Sequence, residues 1–198
     1  MGTEPLAPNA ALVVIDVQTG FDDPSWGRRG NPDAERNIGR LTDHWRSTGR
    51  PIVLVRHVST TPGSSLVGAG TAFRPVLAGI EPDLLVTKSV HSAFHGDHDL
   101  AAWLDGRGIT EFVVAGIQTN RCCETTARLG GDLGYRVLFA LDATDTFDEV
   151  TAEGRLVTAE EFTVSTAANL DGHFAEVLST TAVLARESDR FAPGFIPA

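Results

Sequence analysis

The chain has 198 residues, 42% of them apolar and 21% charged, with a formal net charge of -10. Such a make-up describes a globular chain with room for a real core, and residues 1–198 read as a single domain without repeat or linker. The acidic balance excludes nucleic acid as the main partner, since phosphate binding needs a basic patch, and runs such as ALVVI and FVVAG are too short for a membrane span.

The opening MGTEPLAPNA lacks the basic and apolar regions of a secretory signal, and Gly2 offers an isolated acylation cue with no second anchor. The first predicted strand is Ala11–Asp16 (ALVVID), followed by the irregular stretch Phe21–Gly30. A helix comes next. Asn31 can cap it, Pro32 suits its first position, and Asp33 and Glu35 complement its positive end. Ile38, Leu41 and Trp45 share one face, and Gly49 and Pro51 end it. A strand is predicted over Ile52–Val58, and the Gly-, Ser- and Thr-rich segment Ser59–Ile80 fits neither period, as long functional loops do. Further strands are predicted at Leu84–Lys88, Glu111–Gly116, Arg136–Asp142 and Val177–Leu184, with helices at Leu100–Asp105, Asn120–Leu133 and Ala159–Leu170.

These apolar runs do not alternate with period two, as expected of strands buried on both faces of a parallel sheet. The alternation of strand and helix implies an α/β fold: a three-layer α/β/α sandwich around a mainly parallel, doubly wound, Rossmann-like sheet of about six strands. Ligands of such sheets bind beyond the carboxyl ends of the strands. Asp16, Lys88 and the Thr119–Cys122 turn all fall there.

Both cysteines of the chain stand side by side in GIQTNRCCETTAR, after a strand and in the first turn of a predicted helix. Neighbouring cysteines do not build a disulfide framework, which suggests a reducing, cytoplasmic setting. Alone, Asp16 reads equally as a cap, Lys88 as a solvated strand end and either cysteine as core. Together they fit acyl transfer. A helix N-terminus and an ammonium lower a thiol's pKa, a carboxylate can take its proton and return it to a leaving amine, and backbone N–H groups at the turn can hold an oxyanion. Adjacent helical residues point about 100° apart, so the two sulfurs cannot share one pocket. Periodicity does not choose between Cys122 (with Thr126, Leu129 and Leu133) and Cys123 (with Ala127 and Gly130). Nearness to the helix start favours Cys122.

The segments VVIDVQTGF, VTKSVHSAF, AGIQTNRCCETTAR and GYRVLFALDAT, in that order, resemble the isochorismatase-like cysteine hydrolase superfamily from about Ala11 to Val183. By that resemblance Asp16, Lys88 and Cys122 match the catalytic triad. It also implies a non-proline cis peptide at Ile117–Gln118, with the N–H groups of Gln118 and Cys122 forming the oxyanion hole. Members cleave amide or related C–N bonds of small molecules, and those that cleave isochorismate typically lack the cysteine. Nicotinamidases of the family hold a metal through an Asp-x-His pair after the second strand; here Arg56 and His57 stand there, and His95 and His98 read as a polar loop. No metal or other cofactor is therefore expected.

Phe21, Trp26, Phe94 and Gln118 are candidate substrate contacts, Arg56 or His57 can meet a substrate carboxylate or carbonyl, and Asp142 and Asp145 read as caps. The leading expectation is a cofactor-independent cysteine hydrolase cleaving an amide, ureido or related C–N bond through a thioester on Cys122. The alternatives are an enol-ether hydrolase with Asp16 as general acid, or a non-catalytic binding protein of the same fold. The partners expected are a small-molecule substrate and, by family analogy, further copies of the chain in a homo-oligomer. Carbamoyl amino acids, ureido compounds, maleamate-like acids and lactam antibiotics such as streptothricin all remain open as substrates.

Overall fold

The computed structural model describes residues 4–186, so the Gly2 cue lies outside the described residues. Strand β1 (Ala11–Ile15) leads through two short 3-10 turns to α1 (Ala34–Thr48) and β2 (Ile52–His57). Then come β3 (Leu84–Lys88), α2 (Leu100–Asp105), β4 (Glu111–Ile117), α3 (Glu124–Asp132) and β5 (Arg136–Asp145). A small antiparallel pair, β6 (Glu149–Val150) and β7 (Leu156–Val157), precedes α4 (Ala159–Leu170), β8 (Glu176–Leu178) and α5 (Thr180–Leu184).

The main sheet has the order β3-β2-β1-β4-β5-β8, and every neighbouring pair in it is parallel. The direction of winding reverses between β1 and β4, which opens the ligand crevice of a doubly wound sheet at their carboxyl ends. All five residues of β1 are buried, and alternation sends them into two cores. Ala11, Val13 and Ile15 pack with Leu100, Leu104 and Ala127 on the α2/α3 side; Leu12 and Val14 pack with Ile38, Leu41 and Trp45 on the α1 side. Three layers result.

Three local expectations are corrected. Helix α1 begins at Ala34 instead of Pro32, because Asn31 builds a turn: its Oδ1 accepts from the Asp33 N–H while its amide donates to the Asp142 and Thr144 carbonyls. The run Val177–Leu184 is strand only to Leu178. Ser179 Oγ then accepts from the Ala182 N–H, Asp142 Oδ1 accepts from the Thr180 N–H, and α5 buries Val183. An apolar run this short fits either period, and its cap decides. The third concerns the turn that carries the cysteines, which is a π-helical turn (Thr119–Cys123) ahead of α3, closed by the Cys123 N–H donating to the Gln118 carbonyl.

Candidate active site

At Gly116 the backbone of β4 presses on β1 so closely that a Cβ there would sit 2.0 Å from the Ile15 carbonyl oxygen, and its φ is +134°. Only glycine permits that approach. It sets the end of β4 beside Asp16, where the peptide bond Ile117–Gln118 is cis. Asp16 itself has a φ of 52°, a left-handed conformation that costs a non-glycine residue about 1–2 kcal/mol. Non-glycine residues in that region concentrate at functional sites.

Asp16 and Lys88 are 0% and 2% exposed, and Lys88 Nζ stands 2.6 Å from Asp16 Oδ2. The same ammonium donates to Cys122 Sγ at 3.4 Å and to His57 Nδ1 at 3.2 Å. Its three N–H donors are thus matched by three acceptors, which makes His57 Nδ1 an acceptor on a neutral ring. His57 is held in turn by Gln18, whose amide donates to the His57 carbonyl at 2.9 Å and accepts from its N–H at 2.7 Å. His91, on the loop after β3, brings its Nδ1 within 3.6 Å of the sulfur. Ala93 N–H donates to Thr126 Oγ1 and ties that loop to α3. The sulfur that meets Lys88 belongs to Cys122; Cys123 is fully buried in the core beneath it.

The charges are tuned chiefly by burial. It raises the Asp16 carboxyl above its usual range, with Lys88 opposing. Burial works to lower the Lys88 ammonium, but Asp16 and Cys122 outweigh it and hold its pKa up. Burial, then the Asp16 charge, pushes the Cys122 thiol up to about 12. This corrects the expected thiolate. The π turn keeps the sulfur in a buried site against a carboxylate, and both disfavour a second anion. Burial, followed by Lys88 and His91, lowers His57 to about 4. A resting ion pair, a protonated thiol and a neutral imidazole result. A base with a raised pKa beside a neutral thiol is suited to taking the proton as the sulfur attacks.

Asp16, His57 and Cys122 bring ligand atoms within 4.8 Å of one another, a spacing that can hold a metal ion. All three atoms, however, contact Lys88 Nζ, so the ammonium fills the place of the cation.

The expected contact residues separate. Trp26 lines a cavity of about 360 Å³ that His57 also borders. Phe21 lies behind it, its ring 4.8 Å from Trp26 and 5.8 Å from Phe147, so it supports the wall. Phe94 is half-buried against the core, where it stacks on Tyr135 and meets Phe112 edge-on. The Gln118 Nε2 is buried with no hydrogen-bond partner among the described residues. Arg56 faces away from the site, its guanidinium 4.8 Å from the centre of the Phe73 ring. Asp142 and Asp145 hold the Thr180 and Asn31 N–H groups, as caps do.

Sequence reasoning passed over His91, Gln18 and Phe147. One unused signal was plain: Lys88 is the only lysine in a chain with fifteen arginines. A compact ammonium with three rotatable donors is what this junction needs, and a planar guanidinium does not replace it.

The isochorismatase domain profile matches residues 10–181. An uncharacterized isochorismatase family protein of Bacillus subtilis, YrdC, is 33% identical over 172 residues, covering 86% of this chain and 91% of its own. Nicotinamidase 3 of Arabidopsis thaliana is 31% identical, over 78% of this chain and 82% of its own. A streptothricin hydrolase of Streptomyces noursei is 34% identical, over 70% of this chain and 50% of its own. A solved structure of an isochorismatase-family protein from Chromobacterium violaceum superimposes with a TM-score of 0.86 at 36% identity, covering 94% of this chain and 98% of that one.

Proposed function

The chain belongs to the isochorismatase family of hydrolases, and we propose that it is a cysteine-dependent amidohydrolase that cleaves an amide, ureido or related C–N bond of a small molecule. The observation that carries this reading is the buried Lys88 ammonium, 2.6 Å from Asp16 and 3.4 Å from Cys122. An enol-ether hydrolase has no use for a thiol held in that way.

In the first step Cys122 Sγ attacks the carbonyl carbon while its proton passes to Asp16. The oxyanion lies on the N–H groups of Gln118 and Cys122, donors typically worth about 3 kcal/mol each. As the tetrahedral adduct collapses, Asp16 gives the proton to the nitrogen, the C–N bond breaks and the amine departs. Water then attacks the thioester, Asp16 takes its proton, the C–S bond breaks and the sulfur recovers the proton. Lys88 stays charged throughout and stabilises whichever of Asp16 and Cys122 is anionic. No step uses a metal or other cofactor.

A panel of primary amides and ureido compounds assayed for ammonia release, with intact-mass detection of an acyl adduct, tests this. Cys122→Ala should abolish both signals. Ammonia release retained in that variant would show that Cys122 is not the nucleophile, whereas no ammonia from any amide but turnover of an enol ether by both parent and variant would point to acid catalysis by Asp16. Activity should survive extended chelation; loss on chelation and recovery with Zn²⁺ or Fe²⁺ would overturn the metal-free reading. A cytoplasmic homo-oligomer completes the proposal, and light scattering that finds only a 21.1 kDa species would reject the assembly.

A further inference from the structure

The cavity beside His57 has a consistent chemistry. Its volume of about 360 Å³ lies at the small end of ligand sites. It adjoins the reacting atoms, because a ring nitrogen of His57 is within 4.8 Å of both Cys122 Sγ and an Asp16 oxygen. Trp26 supplies one flat wall; Ser59, Thr61, Ser64 and Ser65 supply hydroxyls. Three of those hydroxyl oxygens already accept a hydrogen bond: Ser59 from Thr61 N–H, Ser64 from Leu66 N–H and Ser65 from the Trp26 indole N–H. Each keeps its own O–H to donate.

The loop bearing these serines is held close by two glycines. A Cβ on Gly20 would lie 2.6 Å from the Ser65 carbonyl oxygen, and one on Gly70 1.9 Å from it.

Among the described residues, no Lys, Arg, Asp or Glu lines this cavity. Arg56, next to His57 in β2, has a buried Nε with no hydrogen-bond partner among the described residues, and its guanidinium lies on the Phe73 ring at 4.8 Å, while other charged groups are already engaged. Lys88 is bound by Asp16, Cys122 and His57. Arg121 pairs with Glu149 at 2.6 Å, Arg29 with Asp145 at 2.5 Å, and Arg74 with Glu35 at 2.7 Å. His57 is neutral at pH 7. Moving a carboxylate or an ammonium into such a site strips its water without supplying a counter-ion, which is costly.

We propose that the part of the substrate beyond the scissile bond is uncharged and rich in hydrogen-bond acceptors, so that the enzyme takes neutral amides or ureides in preference to amide acids and amide cations. This rests on the amidohydrolase reading above. It ranks what the sequence left open: neutral ureido compounds and amides stand ahead of carbamoyl amino acids and maleamate-like acids.

Three amides of one shape test it: 3-hydroxypropanamide (neutral), succinamate (anionic) and β-alaninamide (cationic), compared by kcat/KM for ammonia release. The neutral amide should lead both charged ones by tenfold or more. Equal or better turnover of either charged amide overturns the proposal and leaves the amidohydrolase reading intact. If none of the three releases ammonia or acylates Cys122, the amidohydrolase reading fails and this inference falls with it. A second arm places a cation on the exposed wall. Thr61→Arg should raise kcat/KM for succinamate at least tenfold relative to 3-hydroxypropanamide. An unchanged ratio in the folded variant would show that the cavity does not hold the tail.

Discussion

Two carboxylates lie buried at opposite ends of the central strands, and they are finished differently. Glu111 opens β4 at the amino edge and is 3% exposed; its Oε1 accepts from the Ala7 N–H at 2.9 Å and its Oε2 from Arg136 at 2.5 Å. Asp16 follows β1 at the carboxyl edge and is fully buried; its Oδ2 is engaged by Lys88, while its Oδ1 has no hydrogen-bond partner among the described residues. Burial is common to both. Completion is what separates them. A buried carboxylate with both oxygens bound is a structural tie between segments, whereas one left half-bound has capacity for a proton in transit. The Glu124 carboxylate resembles Glu111: Arg128, Thr166 and Asn169 satisfy it and fix the start of α3 below Cys122.

The sharpest test of the difference is to alter the incomplete site. Asp16→Asn and Cys122→Ser should each lose about 10³-fold or more of kcat while remaining folded by circular dichroism. Lys88→Arg should lose most of the turnover too, because a planar fork cannot serve three acceptors arranged around one nitrogen. Near-full kcat in any of the three variants would remove that residue from the mechanism.

A smaller effect concerns the resting thiol. With burial and Asp16 raising Cys122 to about 12, iodoacetamide should label it at pH 7 at least about 10²-fold more slowly than a free cysteine. The rate should still be climbing at pH 9. A plateau reached below pH 7 would mean a resting thiolate–ammonium pair. Peptide mapping should place any label on Cys122, since Cys123 is fully buried and its thiol is pushed well above the usual range by burial.

The complete site should answer in stability instead. Glu111→Gln removes one side of a buried charged hydrogen bond, so urea unfolding should show a loss of about 1–3 kcal/mol. Turnover per folded molecule should stay within about twofold of the parent. A large drop in kcat would mean that the two ends of the sheet are coupled.

The sheet and the carboxyl-edge convergence were legible in the sequence because both rest on strong, local signals. Apolar runs without alternation mark parallel strands, and a polar residue ending each run marks the crevice. The π turn was not legible, since a single extra residue in a helical turn leaves the apolar spacing of α3 nearly unchanged. His91 was hidden for another reason. Its approach to Cys122 depends on the Ala93 to Thr126 hydrogen bond across two segments, which no local pattern records. Phe94 looked like a pocket residue by nearness to Lys88 in sequence, but the turn at Ala93–His95 aims its ring at Tyr135. Nearness along the chain fixes a position and says nothing of direction.

The smallest expected effect tests whether the active-site edge costs stability when it is charged. His57 has its pKa lowered to about 4 from an ordinary value near 6.5, burial first and Lys88 second. The unfolded chain therefore takes up a proton as pH falls through 6.5, while the folded chain resists until about 4. A depressed folded pKa means the stabilisation is full above 6.5 and is lost progressively towards 4. His91 is shifted the same way and adds to the slope. Asp16, raised by burial, acts in the opposite sense, and comparing the parent with His57→Gln cancels it because both keep that carboxyl. His57 is half-buried, so solvent screening cuts its share to about 1 kcal/mol between pH 7.5 and 5. Urea titrations at those two pH values should show the parent losing about that much more than His57→Gln, whose amide carbonyl can still accept from Lys88. Equal losses would mean that the imidazole takes up its proton inside the folded site as easily as in water, and that the edge tolerates a second cation beside Lys88.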